Sequence, residues 1–319
     1  MKILVYGAGV LGCELASVLC RGDAHVTLLA RGSWKETIDQ RGLTVRHTLQ
    51  LRTTRDPIPT VDHLEPHWNF DLIFVVLRSD QLPAALPELA RNHSRNLVFI
   101  GNNCNPRETE AALLAQSTVE KEVAFGFLSA AGRREGTRVD CTHAGVHLTV
   151  GGCTAPLSPG FRKHLEKAAR KTPLRCRWEG DMEAWLRCHL AAILPMCYVI
   201  YALGGHVQMK LMSRQQRKAC LDASLEGCEF LAHIGVPIRE ADSTDYFRPG
   251  CKRMLMELTL LLMVKTPLGP HCAGFHAMNA REEIRHLDGC FEALRQGSDF
   301  PMPAWDALRQ SAHQTPLRH

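Results

Sequence analysis

The chain has 319 residues, 45% of them hydrophobic, thirteen cysteines and a formal net charge of +5. That is about two domains' worth of chain with ample material for their cores, so a soluble globular protein is expected. The basic residues are dispersed without interleaved aromatics and the cysteines are scattered singly, with no C-x-x-C pair or zinc-finger spacing. This argues against nucleic-acid binding, a disulfide framework and a structural metal site, and favours an anionic small ligand and a reducing, cytoplasmic setting.

In chain order, KILVY (2–6) and HVTLL (25–29) are short β-rich runs, joined by a glycine turn and an apolar-periodic stretch from Leu11 to Cys20. The opening lacks the apolar core and cleavage site of a signal peptide, so no export is expected. Ser33 reads as the N-cap of a helix over 34–40. A weak strand over 43–46 and a strong one over 71–77 follow, then a helix over 82–91 and an apolar strand over 96–100. This alternation predicts a Rossmann-type, doubly wound α/β domain.

From Val123 the pattern becomes strand, turn, strand, with AGRREG (130–135 and Gly136) as a turn, which predicts an antiparallel extension of the same sheet. A helix over 161–171 leads to PLRCRW, and helices are expected over 181–203, 210–234, 250–264 and 271–295. The apolar runs 190–203 and 254–264 are shorter than the roughly 20 residues of a membrane span and read as buried helices, although the second can equally supply a homodimer face. The last dozen residues read as frayed. The expected organisation is a doubly wound domain over 1–175 and an all-helical domain over 176–319.

The first domain takes its cofactor assignment from Gly7-Ala8-Gly9-Val10-Leu11-Gly12, a G-x-G-x-x-G loop that follows a strand and opens a helix. Gly7 allows the tight turn, Gly9 the approach of a pyrophosphate, and Gly12 close helix packing, while the helix N-terminus offers free N–H groups to phosphate. NAD-selective sites place an acid about 20 residues on, at the end of the second strand. Here the strand ends HVTLLARGS, and Arg31 stands in that place. An arginine there pairs with the 2'-phosphate of NADPH, with Ser33 and Lys35 able to assist.

Several segments together resemble the ketopantoate reductase (2-dehydropantoate 2-reductase) family over nearly the whole chain. They are MKILVYGAGVLG, LLARGSWKETIDQRGLTV (28–45), VVLRSDQ (75–81), FIGNN (99–103) and AAGRREG (130–136). The resemblance implies a role in pantothenate biosynthesis. It puts Arg78 where the family has a lysine beside the cofactor phosphates, Asn102 between nicotinamide and substrate, and Gly132 on the nicotinamide side. In the second domain the family has a tryptophan, a general-acid lysine two residues on, and two substrate asparagines. Here Trp185 is followed by Arg187, Ala191 and Pro195, and the family's substrate-binding serine falls near His271. REEIRHLDG (281–289) resembles the family's E-I-D-x-x-N-G segment, which selects Glu283 over Glu282 as the catalytic carboxylate.

Arginine stays protonated at any accessible pH, so Arg187 can bind an anionic group but cannot give up a proton. The donor is then His189 or His276. Two residues along a helix is a rotation of roughly 200°, so Arg187 and His189 cannot share one pocket, whereas Trp185, His189 and Ala192 share a face. On a continuous 271–295 helix, His276, Asn279 and Glu283 line one stripe, and Glu283 can orient the histidine. The expectation is an NADPH-dependent reductase of a small anionic carbonyl such as a 2-oxo acid. The alternatives are a different ketone or imine, and a catalytically inactive NADPH-binding regulatory protein.

Overall fold

The computed structural model describes residues 1–239, 244–266 and 269–315, without the side chains of His206, Gln208 and Cys272. It forms two compact units, Met1–Met182 and Glu183–His319.

In the first unit an eight-stranded sheet comprises β1 (Lys2–Tyr6), β2 (His25–Leu29), β5 (Thr60–Val61), β6 (Leu72–Val75), β7 (Asn96–Ile100), β8 (Glu122–Leu128), β11 (His147–Gly151) and β12 (Arg175–Trp178). Their order across the sheet is β12-β11-β8-β7-β6-β1-β2-β5. All neighbours are parallel except β11, which runs antiparallel to β8. The central strands are apolar on both faces because helices cover both: Leu72, Ile73, Phe74 and Val75 are completely buried. The helices are α1 (Val10–Leu19), α2 (Gly32–Arg41), α3 (Leu82–Arg91), α4 (Pro106–Leu114) and α5 (Pro159–Ala169). α3 buries Leu82, Ala85, Leu86, Leu89 and Ala90, the i, i+3, i+4, i+7 stripe of an amphipathic helix. The Ser158 side chain caps α5 by accepting from the Phe161 amide.

A second, four-stranded sheet departs from expectation. It consists of β3 (Leu43–His47), β4 (Arg52–Asp56), β9 (Ala131–Glu135) and β10 (Arg138–Thr142), in the order β4-β3-β10-β9. AGRREG is therefore strand β9, not a turn, and only β11 extends the main sheet in antiparallel fashion. Gly132 pairs opposite Cys141, and a Cβ on it would lie 2.0 Å from the Asp140 carbonyl oxygen, so the strand pairing itself requires glycine there. Val45, Val139 and Cys141 from this sheet share one core with Cys13 and Leu15 of α1. The helix after β2 is capped at Arg31, not Ser33. The strand expected over 71–77 is the shorter β6. The domain boundary expected near 175 coincides with the first residue of β12, whose pairing with β11 carries the first unit on to Met182.

The described part of the second unit is helical, as expected. It contains α6 (Met182–Ala202, which starts on the last residue of the first unit), α7 (Arg214–His233), α8 (Cys251–Lys265), α9 (Phe275–Asn279), α10 (Arg281–Arg295) and α11 (Pro303–Gln314). α6 runs through Pro195 and is long and apolar enough to cross a membrane, but 72% of its apolar window is buried inside the protein, as in a core helix. Ser213 and Gln216 close a capping box at the start of α7. The expected 271–295 helix is not continuous: a wide π turn at Pro270–Gly274 leads into α9, and the chain breaks at Ala280 (φ −116°, ψ 36°) before α10. The tail expected to fray is α11, docked by Trp305 stacked on Phe291 (4.6 Å) and by Arg309 bridging both oxygens of buried Asp288 (2.8 and 2.9 Å). Residues 316–319 lie outside the described part.

Candidate active site

In the main sheet the direction of strand order reverses at β1, the switch point at which α/β sheets place ligands beyond the carboxyl ends of their strands. The register aligns Tyr6 with Leu29 and with Val75, and Val75 with Phe99. Gly7, Arg31, Arg78 and Asn102 therefore all follow the carboxyl ends of four adjacent parallel strands.

Gly7 has φ +118°, and a Cβ on it would lie 2.4 Å from the Val76 carbonyl oxygen. A Cβ on Gly12 would lie 1.9 Å from the Gly7 carbonyl oxygen, so the helix can follow the turn this closely only without a side chain. Gly9, the N-cap of α1, differs: its φ is an ordinary −72° and nothing lies within 4 Å of the missing Cβ. Its bareness serves no protein contact and leaves room for a ligand. Ala8 holds the loop by accepting from the Cys13 thiol (3.4 Å). The amides of Val10, Leu11 and Gly12 precede the first in-helix acceptor, and the first turn carries no acid to repel an anion.

Arg31 donates from Nε to the Asp62 carbonyl (3.0 Å) and from Nη2 to the Tyr6 hydroxyl (3.4 Å), and Nη2 lies 3.5 Å from Glu88 Oε2. Glu88 also accepts from the Tyr6 hydroxyl and, at 2.7 Å, from the Leu64 amide, so both its oxygens are engaged. Tyr6 and Glu88 thus fix the guanidinium, a role visible only in three dimensions, while Nη1 has no partner among the described residues. Lys35 is turned to Asp39 (2.7 Å). Arg78 is held by Asp80 (3.0 Å), and its buried Nε donates to no acceptor among the described residues.

Two adjacent asparagines after β7 have different environments. Asn103 bonds Thr109 (3.0 Å) and accepts from the Asn105 amide (2.9 Å), fastening the approach to α4. Asn102 is 6% exposed with its Oδ1 buried and unbonded among the described residues, lining a small cavity with Val75, Leu77, Phe99 and Phe125. Gly101, at φ +144°, makes the turn that presents it.

In the second unit, Arg187 pairs with Glu183 one turn earlier on α6 (3.0 Å), a partner whose i, i+4 spacing was present in the sequence. His189 stacks on Trp185 (5.3 Å between centroids, 12° between planes). Arg187 and His189 thus engage different neighbours, as their rotation along the helix requires. Burial, with a contribution from the nearby His276, pushes the His189 pKa down to about 4, so this imidazole is neutral near pH 7. Despite the break at Ala280, His276 Nε2 lies 3.9 Å from Glu283 Oε2. Glu283 is 3% exposed, whereas Glu282 is a surface acid paired with Arg285. The Tyr201 hydroxyl donates to the Ala277 carbonyl (2.7 Å), tying α9 to α6 beside His276. His271 packs edge-on against Phe275.

The sequence pattern of the family Ketopantoate reductase PanE/ApbA matches residues 3–154. No protein with curated function matches the chain's sequence. Among solved structures, a 2-dehydropantoate 2-reductase from Geobacter metallireducens GS-15 is 20% identical with TM-score 0.75, covering 98% of this chain and 99% of that one. A PanE/ApbA family ketopantoate reductase from Ralstonia eutropha JMP134 is 17% identical with TM-score 0.70, covering 98% and 97%. A ternary structure of D-mandelate dehydrogenase with NADH and anilino(oxo)acetate is 15% identical with TM-score 0.73, covering 98% and 97%. These likenesses extend the fold over both units. Residues 3–154 thus match the ketopantoate reductase PanE/ApbA family, and the chain as a whole shares the fold of these solved structures.

Proposed function

We propose that this chain is an NADPH-dependent oxidoreductase that reduces a 2-oxo acid or related small anionic carbonyl to the alcohol. The observation that carries the reading is the bare Gly9 at the N-terminus of α1, open to a pyrophosphate and flanked at neighbouring strand ends by Arg31 and Arg78. In this reading the amides of Val10, Leu11 and Gly12 hold the pyrophosphate, Arg31 takes the 2'-phosphate through its remaining N–H groups, and Asn102 positions nicotinamide and substrate, its buried Oδ1 accepting and its Nδ2 donating. Bound NADPH supplies the hydride.

The second unit manages charge and proton. His276 is the better donor, because it has a carboxylate beside it to hold and reload an imidazolium, while burial keeps His189 neutral. Glu283 orients His276, and His189 on Trp185 walls the site. Arg187, paired with Glu183, binds the substrate's anionic group through its guanidinium. Ketopantoate is the default substrate by family. The departures at Arg187, Ala191 and Pro195 favour another 2-oxo acid, and the D-mandelate dehydrogenase likeness puts aryl-substituted ones in the test panel.

NADH is a second reading, favoured by the Glu88 carboxylate beside Arg31, which a ribose hydroxyl could approach. Against it, both Glu88 oxygens are already engaged by Leu64 and Tyr6. Cysteines scattered singly along the chain fit a reducing, cytoplasmic setting. The exposed Met254, Leu255, Leu258 and Leu262 of α8 fit a homodimer face.

The deciding experiment follows NADPH and NADH oxidation by the purified chain against 2-oxo acids including ketopantoate and aryl glyoxylates. Turnover with at least one, and with NADPH preferred, is expected. Tight NADPH binding with no carbonyl reduced would replace this reading with the regulatory one.

A further inference from the structure

Two residues past Gly12, the helix that opens the phosphate loop buries a carboxylate. Glu14 is 0% exposed and faces His47 at the end of β3 and His143 just beyond β10. Glu14 Oε2 lies 3.5 Å from His47 Nδ1, Glu14 Oε1 lies 3.2 Å from His143 Nε2, and the two nitrogens are 3.4 Å apart. Although an ion-pair distance from both rings, neither Glu14 oxygen accepts an aligned hydrogen bond from a nitrogen or oxygen donor among the described residues, and the buried Cys141 thiol is its other neighbour.

The surrounding bonds show what the three atoms face. His47 Nε2 lies 3.1 Å from the Thr54 hydroxyl oxygen. That hydroxyl has the Val45 carbonyl (3.4 Å) and the Ser17 oxygen (3.4 Å) to donate to, and the Ser17 proton is committed to Asp56 (2.5 Å). With the Thr54 proton on the Val45 carbonyl, His47 donates from Nε2 and turns the lone pair of Nδ1 toward the carboxylate. Two acceptors then meet in a dry core, which is costly unless a cation lies between them. Such a bond from the distal ring nitrogen is also the arrangement that fixes the tautomer of a metal-ligating histidine.

The spacing is quantitative. With zinc bonds of about 2.0–2.1 Å to N and O, a tetrahedral site has ligand-to-ligand edges of about 3.3 Å. The two imidazole nitrogens, 3.4 Å apart, match that edge, while the carboxylate reaches the rings through different oxygens, 3.5 Å from His47 by Oε2 and 3.2 Å from His143 by Oε1, and one atom from each residue lies within 4.8 Å of the other two. We propose that Glu14, His47 and His143 form a zinc-class divalent-cation site of two imidazoles and one carboxylate, with water in the fourth position. The side chain of His143, 8% exposed, gives the entry side. The bound ion cross-links α1, β3 and β10, clamping the second sheet onto the helix whose N-terminus builds the phosphate loop. The competing occupant is a proton on His143, which would make an imidazolium-carboxylate pair with no metal.

The test uses the full chain, stripped with chelator, dialysed and titrated at pH 7.5 with ZnCl2 against a competing chromophoric chelator, with Co2+ absorption as a second readout. One equivalent of zinc, tetrahedral visible bands with Co2+ and a raised Tm on zinc addition are expected. His143→Gln, at the rim and tolerant of substitution, should weaken affinity at least about 100-fold, as should Glu14→Gln. Cys251→Ser, which removes an exposed thiol, should change neither stoichiometry nor affinity. Folded wild-type protein that takes up no zinc, or His143→Gln that binds like wild type, would overturn the proposal in favour of the proton.

Discussion

The phosphate loop and the α6–α10 region carry their chemistry in different materials. Around β1 the working parts are backbone: absent side chains at Gly7, Gly9 and Gly12, free amides at a helix start, and strand ends aligned by register. In the second unit the proposed parts are side chains, Arg187, His189, His276 and Glu283, placed by a helix break, a ring stack and an ion pair. Backbone sites are stiff and announce themselves by glycine spacing. Side-chain sites can be rebuilt one residue at a time, and this one carries Arg187, Ala191 and Pro195 where the family it resembles has a lysine and two asparagines, while the loop keeps its pattern.

The largest effect should come from breaking the side-chain site. With His276 as proton donor, His276→Gln should lower kcat by about 10²–10⁴-fold, the usual range for losing a general acid, and leave NADPH affinity within twofold. Glu283→Gln should follow it in part and flatten the pH dependence of kcat. His189→Gln should cost far less, and the opposite ranking in single-turnover measurements would transfer the donor role to His189.

In the backbone site, two glycines three positions apart should behave oppositely. Gly12→Ala forces a methyl against a backbone carbonyl, so a loss of about 3 kcal/mol of stability and of nucleotide binding is expected. Gly9→Ala meets no protein atom and should leave Tm unchanged while weakening NADPH binding, read by calorimetry. Equal Tm losses in both would mean that the loop is structural and not a cradle.

The pH dependence of the second unit should come from His189. Its folded pKa, about 4, lies below its unfolded value of about 6.5, so between the two the unfolded chain binds the extra proton. Stability is fully present above pH 6.5 and falls as pH drops toward 4, by about 2 kcal/mol between pH 7 and 5. Urea unfolding at the two pH values should show this difference, and His189→Gln should remove it.

The same contrast explains what was legible in the sequence. β1, α1, β2 and the loop between them are local patterns, and their bounds were readable within a residue or two. The second sheet was not, because Val45 pairs with Val139 across more than ninety residues and the polar run at Arg133 and Arg134 has no apolar alternation to mark a strand. The break at Ala280 was invisible for a physical reason: alanine is the best helix former, and the preceding wide turn, not the local propensity, interrupts the chain. α11 could have been found, since Pro303 at its start and the Trp305, Leu308, Ala312 stripe are ordinary helix signals. Glu14, His47 and His143 are far apart in sequence, and only the packing of α1 on the second sheet gathers them.

The smallest effect, and the sharpest test of the backbone site's selectivity, is at Arg31. Its side chain is 64% exposed, and its pairing with Glu88 is a partly solvated contact of the kind worth about 0–1 kcal/mol, so Arg31→Ala should leave Tm nearly unchanged. A charge-assisted bond to a 2'-phosphate is stronger than that, so KM for NADPH should rise about tenfold while KM for NADH stays constant. The NADPH to NADH ratio of kcat/KM then moves toward unity through KM alone. An unchanged ratio would remove Arg31 from the site and return weight to Glu88 as a ribose acceptor. Glu88→Gln separates the two, because it keeps a hydrogen-bonding group of the same shape and removes only the charge that now holds the guanidinium.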